Sequence, residues 1–231
     1  MNEEQKIQIA DNPALHIASV SRCPLSVVYL EDCVQGLKRF ADKHFDLAIV
    51  DPPYGIGATN GTGKYGRLKF QNKKECWDTS IPTDEYWNEL FRASKNQIVW
   101  GANYFGLPPT RGFFVWDKGE GFYNRDFAEC EYAWTSFDRN AKVLNRDPLA
   151  KRDYHEGKIH PTQKPVALYE WILVNYAKPN DLILDTHLGS GSSRIACFKG
   201  GFNFVGFEID AEYYEKQEKR FKNFSAQQRL F

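Results

Sequence analysis

The sequence predicts an α/β fold built on a mostly parallel sheet, and three observations predict it. Leu182-Ile183-Leu184-Asp185, the turn Thr186 to Gly191, a helix from Ser192 to Lys199 and the strand Phe202 to Glu208 spell a strand–loop–helix–strand unit, the mark of a parallel pair. The β-rich apolar run Phe45 to Val50 stops abruptly at Asp51-Pro52-Pro53, because two prolines cannot continue a central ladder. Further strand-like runs alternate with segments of helical period along the chain.

In order, Val27 to Leu30 reads as a short strand and Val34 to Lys43 as a helix. Gly55 to Lys74, rich in Gly, Thr, Asn and Lys, reads as a long loop. A helix covers Thr83 to Ser94, with Thr83 as its cap and Tyr86, Leu90 and Phe91 on the buried face. Gln97 to Trp100, Gly112 to Trp116 and Glu131 to Trp134 are strand-like, whereas Arg139 to Lys164 is polar and irregular. An apolar helix from Val166 to Ala177 closes at Lys178-Pro179-Asn180-Asp181, and an amphipathic helix runs from about Ala211 to Phe224. The expected organisation is a single domain over 1–231, with a short insert at about 139–158 and a tail at 225–231.

At 231 residues, 42% hydrophobic and 15% aromatic, the chain can bury a full core. No run approaches the eighteen or so apolar residues of a membrane span. The charged start Met1-Asn2-Glu3-Glu4-Gln5-Lys6 lacks the apolar centre of a secretory signal, which predicts a cytoplasmic protein. Cys23, Cys33, Cys76, Cys130 and Cys197 form no C-x-x-C pair, which argues against a zinc site or a disulfide framework. The net charge is zero, so any grip on nucleic acid must come from a local basic surface.

Two short stretches carry chemistry. Asp185-Thr186-His187-Leu188-Gly189-Ser190-Gly191-Ser192 lies between strand and helix, where glycines let the backbone pass under a ligand and a helix start offers free N–H groups. Glu208 ends the next strand, where an acid can accept ribose hydroxyls. A dinucleotide G-x-G-x-x-G fingerprint fails because position 194 is Arg194. Asp51-Pro52-Pro53-Tyr54 suits an aromatic amine, whose nitrogen lone pair is delocalised into the ring. The Asp51 carboxylate and the Pro52 carbonyl can both accept from the NH₂ and localise that pair, while Tyr54 offers a stacking face for a flipped base.

With these residues in view, the chain resembles the DNA amino-methyltransferases, whose motifs are D/N/S-P-P-Y/F and D-x-F-x-G-S-G-T. The catalytic motif comes first, as in the permuted β group, and His160-Pro161-Thr162-Gln163-Lys164-Pro165 is similar to that group's H-P-T-Q-K-P signature. Glu31-Asp32-Cys33 is similar to its adenine-side cofactor contact. The resemblance, over about residues 27 to 221, implies a Rossmann-like class I methyltransferase with a seven-stranded α/β/α sheet and S-adenosylmethionine at the strand C-termini. It implies direct transfer to N6 of adenine in double-stranded DNA, with Asp51, Pro52, Pro53 and Tyr54 catalytic and no metal. The cofactor would meet Asp32, Cys33, Asp51, Thr162, Lys164, Asp185, His187, Gly189, Ser190, Gly191, Ser192 and Glu208. His187 departs from the family's phenylalanine and is read as packing, and Ser192 replaces threonine.

The family's target-recognition region would fall on Arg139, Lys142, Arg146, Lys151 and Arg152, with Lys64, Arg67 and Lys69 of the first loop sharing the work. So small a region predicts a homodimer. Gln227-Gln228-Arg229-Leu230-Phe231 resembles the Q-x-x-L-F peptide that docks on the bacterial replication sliding clamp. The expected setting is therefore a bacterial or phage-encoded enzyme acting at the nucleoid. Cytosine-N4 methylation stands as the nearest alternative, although family members acting on cytosine usually carry serine at the Asp51 position. RNA or protein-amide methyltransferases generally carry Asn-Pro-Pro-Tyr after the cofactor motif, and a non-catalytic nucleic-acid-binding module would not need both motifs intact.

Overall fold

The computed structural model describes residues 24–57, 78–124, 128–148 and 158–228. Eight strands make one sheet: β1 (Ser26–Leu30), β2 (Phe45–Val50), β3 (Ser94–Trp100), β4 (Phe113–Asp117), β5 (Cys130–Thr135), β6 (Lys142–Asn145), β7 (Leu182–Asp185) and β8 (Asn203–Glu208). Their order across the sheet is β1-β8-β7-β2-β3-β5-β4-β6. All neighbours are parallel except β5, which runs antiparallel to both β3 and β4. The sheet thus has one strand more than the seven expected. The addition is β6, inside the segment read as irregular: Phe114 to Asp117 align with Lys142 to Asn145. Three of its four positions are exposed and only Leu144 is half-buried, so an edge strand with so little burial gives no alternating pattern.

Among the described residues five α-helices complete the layers: α1 (Cys33–Leu37), α2 (Asp84–Ala93), α3 (Val166–Tyr176), α4 (Ser192–Gly200) and α5 (Ala211–Gln228). On one face Leu37, Tyr86 and Leu90 pack against Phe45, Val50, Val99 and Phe207. On the other, Leu168, Ile172, Ala196 and Cys197 pack against Leu47, Ile49, Ile98 and Ile183. Phe45, Leu47, Ile49 and Ile98 are at most 1% exposed, which identifies β2 and β3 as strands covered on both sides. Truncating any of these large side chains to alanine would cost about 2–5 kcal/mol.

Helix α2 begins where expected, with the Thr83 hydroxyl accepting from the Tyr86 N–H at 3.3 Å and Asp84 and Glu85 in the first turn. Helix α1 is shorter than the expected Val34 to Lys43. The chain leaves it after Leu37 and turns through Lys43, whose left-handed φ is 56° and whose ammonium donates to the carbonyls of Phe91 and Ser94. Helix α5 is longer than expected and reaches Gln228, into the stretch read as a tail. No helix among the described residues is long and apolar enough to cross a membrane.

Candidate active site and cofactor cavity

Strands β7 and β2 are neighbours, but the chain leaves them in opposite directions: β7 leads through α4 to β8, and β2 through α2 to β3. A crevice opens beyond the carboxyl ends of strands at such a switch point, where ligands bind in open α/β sheets. Here it is a cavity of about 210 Å³. Because β1, β8, β7 and β2 are parallel, Asp32, Glu208, His187 and Asp51 all arrive at the same end of the sheet.

Of the residues singled out in the sequence, Asp32, Cys33, Asp51, Pro53, Thr162, Lys164, His187, Gly189, Ser190 and Glu208 line this cavity. Asp185, Gly191 and Ser192 do not; they form the floor beneath it. Asp185 Oδ1 accepts from the His187 N–H at 3.1 Å and Oδ2 from the Ser193 hydroxyl at 2.5 Å, which locks the loop's shape. Burial pushes the Asp185 carboxyl up to about 7 despite these two donors. Gly191 starts α4 at φ 72°, and a Cβ there would lie 3.2 Å from the Gln217 side chain of α5. Arg220, also on α5, donates to the Ser190 carbonyl at 2.8 Å and the Ser192 hydroxyl at 3.0 Å. The last helix therefore clamps the Gly-rich loop.

The acids of the cavity are oriented by backbone. Glu208 accepts from the N–H groups of Gly189 at 2.8 Å and Asp210 at 2.9 Å, and burial raises its carboxyl while these donors oppose the shift. Asp32 caps α1, accepting from Gln35 N–H at 2.9 Å. Burial, then the Asp32 charge, pushes the Cys33 thiol up to about 12, so it stays protonated and is no nucleophile.

His187 is held through a chain of hydroxyls. Tyr86 OH lies 2.8 Å from Thr186 Oγ1, which lies 2.9 Å from His187 Nδ1. These two contacts tie the imidazole to the Tyr86 phenol through the Thr186 hydroxyl, which can donate to one neighbour while accepting from the other. Burial lowers the ring to about 4, so the histidine is a neutral wall residue.

At the other side of the cavity, Asp51 follows β2 directly. Its Oδ1 accepts from the Tyr54 hydroxyl at 2.6 Å, and its Oδ2 accepts from the Lys164 ammonium. Lys164 is 4% exposed; burial opposes its charge, but the Asp51 and Glu131 carboxylates outweigh that and raise it. Its ammonium also lies 3.2 Å from Glu131 and 5.3 Å from the centre of the Trp100 ring. Glu131 pairs in turn with Lys118 at 2.9 Å. The Tyr54 ring stacks on Tyr104 at 4.8 Å. Its place depends on Gly101, which sits at φ 65° and whose added Cβ would come within 2.1 Å of the ring. The Asp78 carboxylate accepts from the Gly55 N–H at 2.8 Å and fixes the turn after Tyr54.

Glu131, Lys118, Asp78, Gly101 and Arg220 were not singled out in the sequence. The signal available for Glu131 was a charge inside the apolar run Glu131-Tyr132-Ala133-Trp134; Lys118 gave none. The basic residues fare differently. Arg139 donates to the Asn175 carbonyl at 2.6 Å and Lys142 to the Asn175 side chain at 3.1 Å, at the far end of α3 from Lys164. An eleven-residue helix is roughly 16 Å long, so these two sit at the opposite end of α3 from Lys164 and the cavity. Arg146 follows β6 at the cavity end, its carbonyl accepting from the Trp116 indole at 2.7 Å. Lys64, Arg67, Lys69, Lys151, Arg152 and residues 229–231 lie outside the described residues.

Residues 115–219 match the model of a family described as DNA methylase. The type II methyltransferase M.HpaI of Haemophilus parainfluenzae is 24% identical over 225 residues, covering 82% of this chain and 72% of the relative. M.HinfI of Haemophilus influenzae is 23% identical, covering 86% and 68%. Among solved structures, the cytosine-N4-specific PvuII DNA methyltransferase superposes with a TM-score of 0.56 at 17% identity, covering 88% of this chain and 90% of that one. The fold is therefore the Rossmann-like fold of the class I methyltransferases, and the sequence matches support a DNA methyltransferase.

Proposed function

We propose that the protein is a site-specific DNA methyltransferase that uses S-adenosylmethionine to methylate the N6 amine of adenine in double-stranded DNA. The observation that carries this reading is the position of Asp51, on the boundary between the cavity and the Pro53–Tyr54 wall, with its two oxygens held by Tyr54 and Lys164. The cavity fits the cofactor: carboxylates from β1 and β8 suit the nucleoside, and Thr162 and Lys164 suit its methionine end. When bound, S-adenosylmethionine supplies a methyl group already activated on a sulfonium. Asp51 and the Pro52 carbonyl accept the two N–H bonds of the target amine and concentrate its lone pair, and Tyr54, backed by Tyr104, supplies the aromatic face for a base drawn out of the duplex. Holding the reactants in line is worth up to about 7–11 kcal/mol of barrier.

The test is single-molecule sequencing of DNA from a methylation-free bacterial host expressing the protein. N6-methyladenine at one recurring motif, lost with Asp51→Ala while calorimetry still records cofactor binding, is the expected result. N4-methylcytosine at that motif would move the reading to the alternative base, and unmodified DNA would remove both.

The surface that meets DNA is proposed to include Lys64, Arg67 and Lys69 of the basic segment 55–74 and, from the second basic stretch, Arg139, Lys142, Arg146, Lys151 and Arg152. A homodimer follows from the short recognition region, and a monomeric mass in light scattering would rule it out. Docking of Gln227-Gln228-Arg229-Leu230-Phe231 on a sliding clamp would be abolished by deleting those five residues; unchanged pull-down would end that proposal.

A further inference from the structure

Four charged side chains from separate parts of the chain form a row of ion pairs, Asp51–Lys164–Glu131–Lys118, and the reaction as described uses two of them, Asp51 and Lys164. The other two are Glu131, on β5, and Lys118, which follows β4. Their side chains are 22% and 12% exposed, and they are joined at 2.9 Å.

Asp51 has a problem to solve. Both its oxygens already accept, one from Tyr54 and one from Lys164, yet the target amine needs an acceptor lone pair there. A buried ammonium cannot release one carboxylate unless another anion is within reach, because a lone buried charge is severely penalised. Glu131 is that second anion, 3.2 Å from the same ammonium. Its far oxygen is held by Lys118, so Glu131 stays in place as Lys164 shifts its weight between the two acids. Lys158 also faces the Glu131–Lys118 pair: burial first, then the Lys118 charge, pushes its ammonium down, while Glu131 opposes that shift. The phenols of Tyr54 and Tyr169, which also face this cluster, are pushed well up by burial and add no charge.

We propose that Glu131 is a positioning residue for methyl transfer: it shares the Lys164 ammonium with Asp51 and so frees an Asp51 oxygen for the target amine. The inference rests on the methyl-transfer reading above. In steady-state assays with the motif DNA, Glu131→Gln should lower kcat at least about tenfold. The KM for DNA and the Kd for S-adenosylmethionine should stay within about twofold, since the substituted side chain lies outside the cavity lining. Glu131→Asp should recover part of the loss. Glu131→Gln strands Lys118, so a second variant, Glu131→Gln with Lys118→Met, separates stability from chemistry: its Tm should return towards the wild-type value while kcat stays low.

Wild-type kcat in Glu131→Gln, or kcat returning together with Tm in the double variant, would overturn the proposal. A wild-type protein that methylates no DNA amine removes the underlying reading, and this inference with it. An active wild type with an unaffected Glu131→Gln removes this inference alone.

Discussion

Asp185 and Glu131 are both acids at the cavity end of the same sheet, yet they titrate in opposite directions. Around Asp185 the partners are a backbone N–H and a serine hydroxyl, which cannot offset burial, and the carboxyl rises to about 7. Around Glu131 burial also opposes the charge, but Lys164 and Lys118 outweigh it and the carboxyl falls below its ordinary value. The acids on the cofactor side of the cavity are thus held by neutral donors, most of them from nearby chain. The catalytic side is built from ion pairs recruited across the sheet. Dipoles suffice where a ligand's hydroxyls and ring must be cradled; fixed charges are needed where an acceptor must remain anionic against an amine.

The contrast can be broken most strongly at Gly101. Gly101→Ala places a Cβ into the Tyr54 ring and a side chain at φ 65°, a strain on the order of 1–3 kcal/mol before any clash is relieved. Denaturant titration should show that loss, and turnover should collapse. Cofactor affinity should hold, because Tyr54 is not part of the cavity lining. Equal loss of cofactor binding would mean that the two sides are one unit. Arg220→Ala sharpens the comparison from the other side. Removing its bonds to Ser190 and Ser192 should raise the Kd for S-adenosylmethionine about tenfold, the equivalent of about 1.4 kcal/mol. By calorimetry and assay together, kcat at saturating cofactor should be unchanged.

The smallest effect concerns pH. A carboxyl raised from 3.8 to about 7 by folding binds protons more tightly in the native state, so its stabilisation is complete below about pH 4 and is lost as pH rises to about 7. Asp185→Asn should therefore flatten the fall of Tm over that window relative to wild type. His187, lowered to about 4, acts in the opposite sense over pH 4 to 6.5 but is common to both proteins and cancels in the difference. An identical Tm slope in the variant would show that Asp185 is not the buried acid described here.

What the sequence disclosed follows the same division. Strand β7, the Gly-rich loop, α4 and β8 are consecutive, so their period, turn residues and terminal acid could be read together; β2 and β7 occupy the expected residues to the position. The Asp51–Tyr54 segment was legible because two prolines punctuate it. Glu131 and Lys118 were not, because a strand beginning with an acid has no local reason to be linked to a lysine 33 residues further on. Gly101 carried no signal of its own, because the Tyr54 ring that fills the space beside it comes from a distant part of the chain. Strand β6 was not legible because a short edge strand with three exposed positions of four carries no hydrophobic signature, and charge alone does not say which end of a sheet Arg139 and Lys142 occupy.

The edge position of β1 has a consequence for how the protein is made. Its sheet neighbour is β8, and the bond from the Leu25 N–H to Asn203 spans 178 residues of chain. As the polypeptide emerges from the ribosome, β1 waits with unpaired edges until β8 has been made, while β2 and β3 can already associate. Asp32 cannot reach the cavity until β8 arrives, and the Gly-rich loop cannot be clamped until α5 has followed it. Cofactor binding is then a property acquired only once β8 and α5 have been made, and a ligand that favours the completed state would brace the assembled sheet.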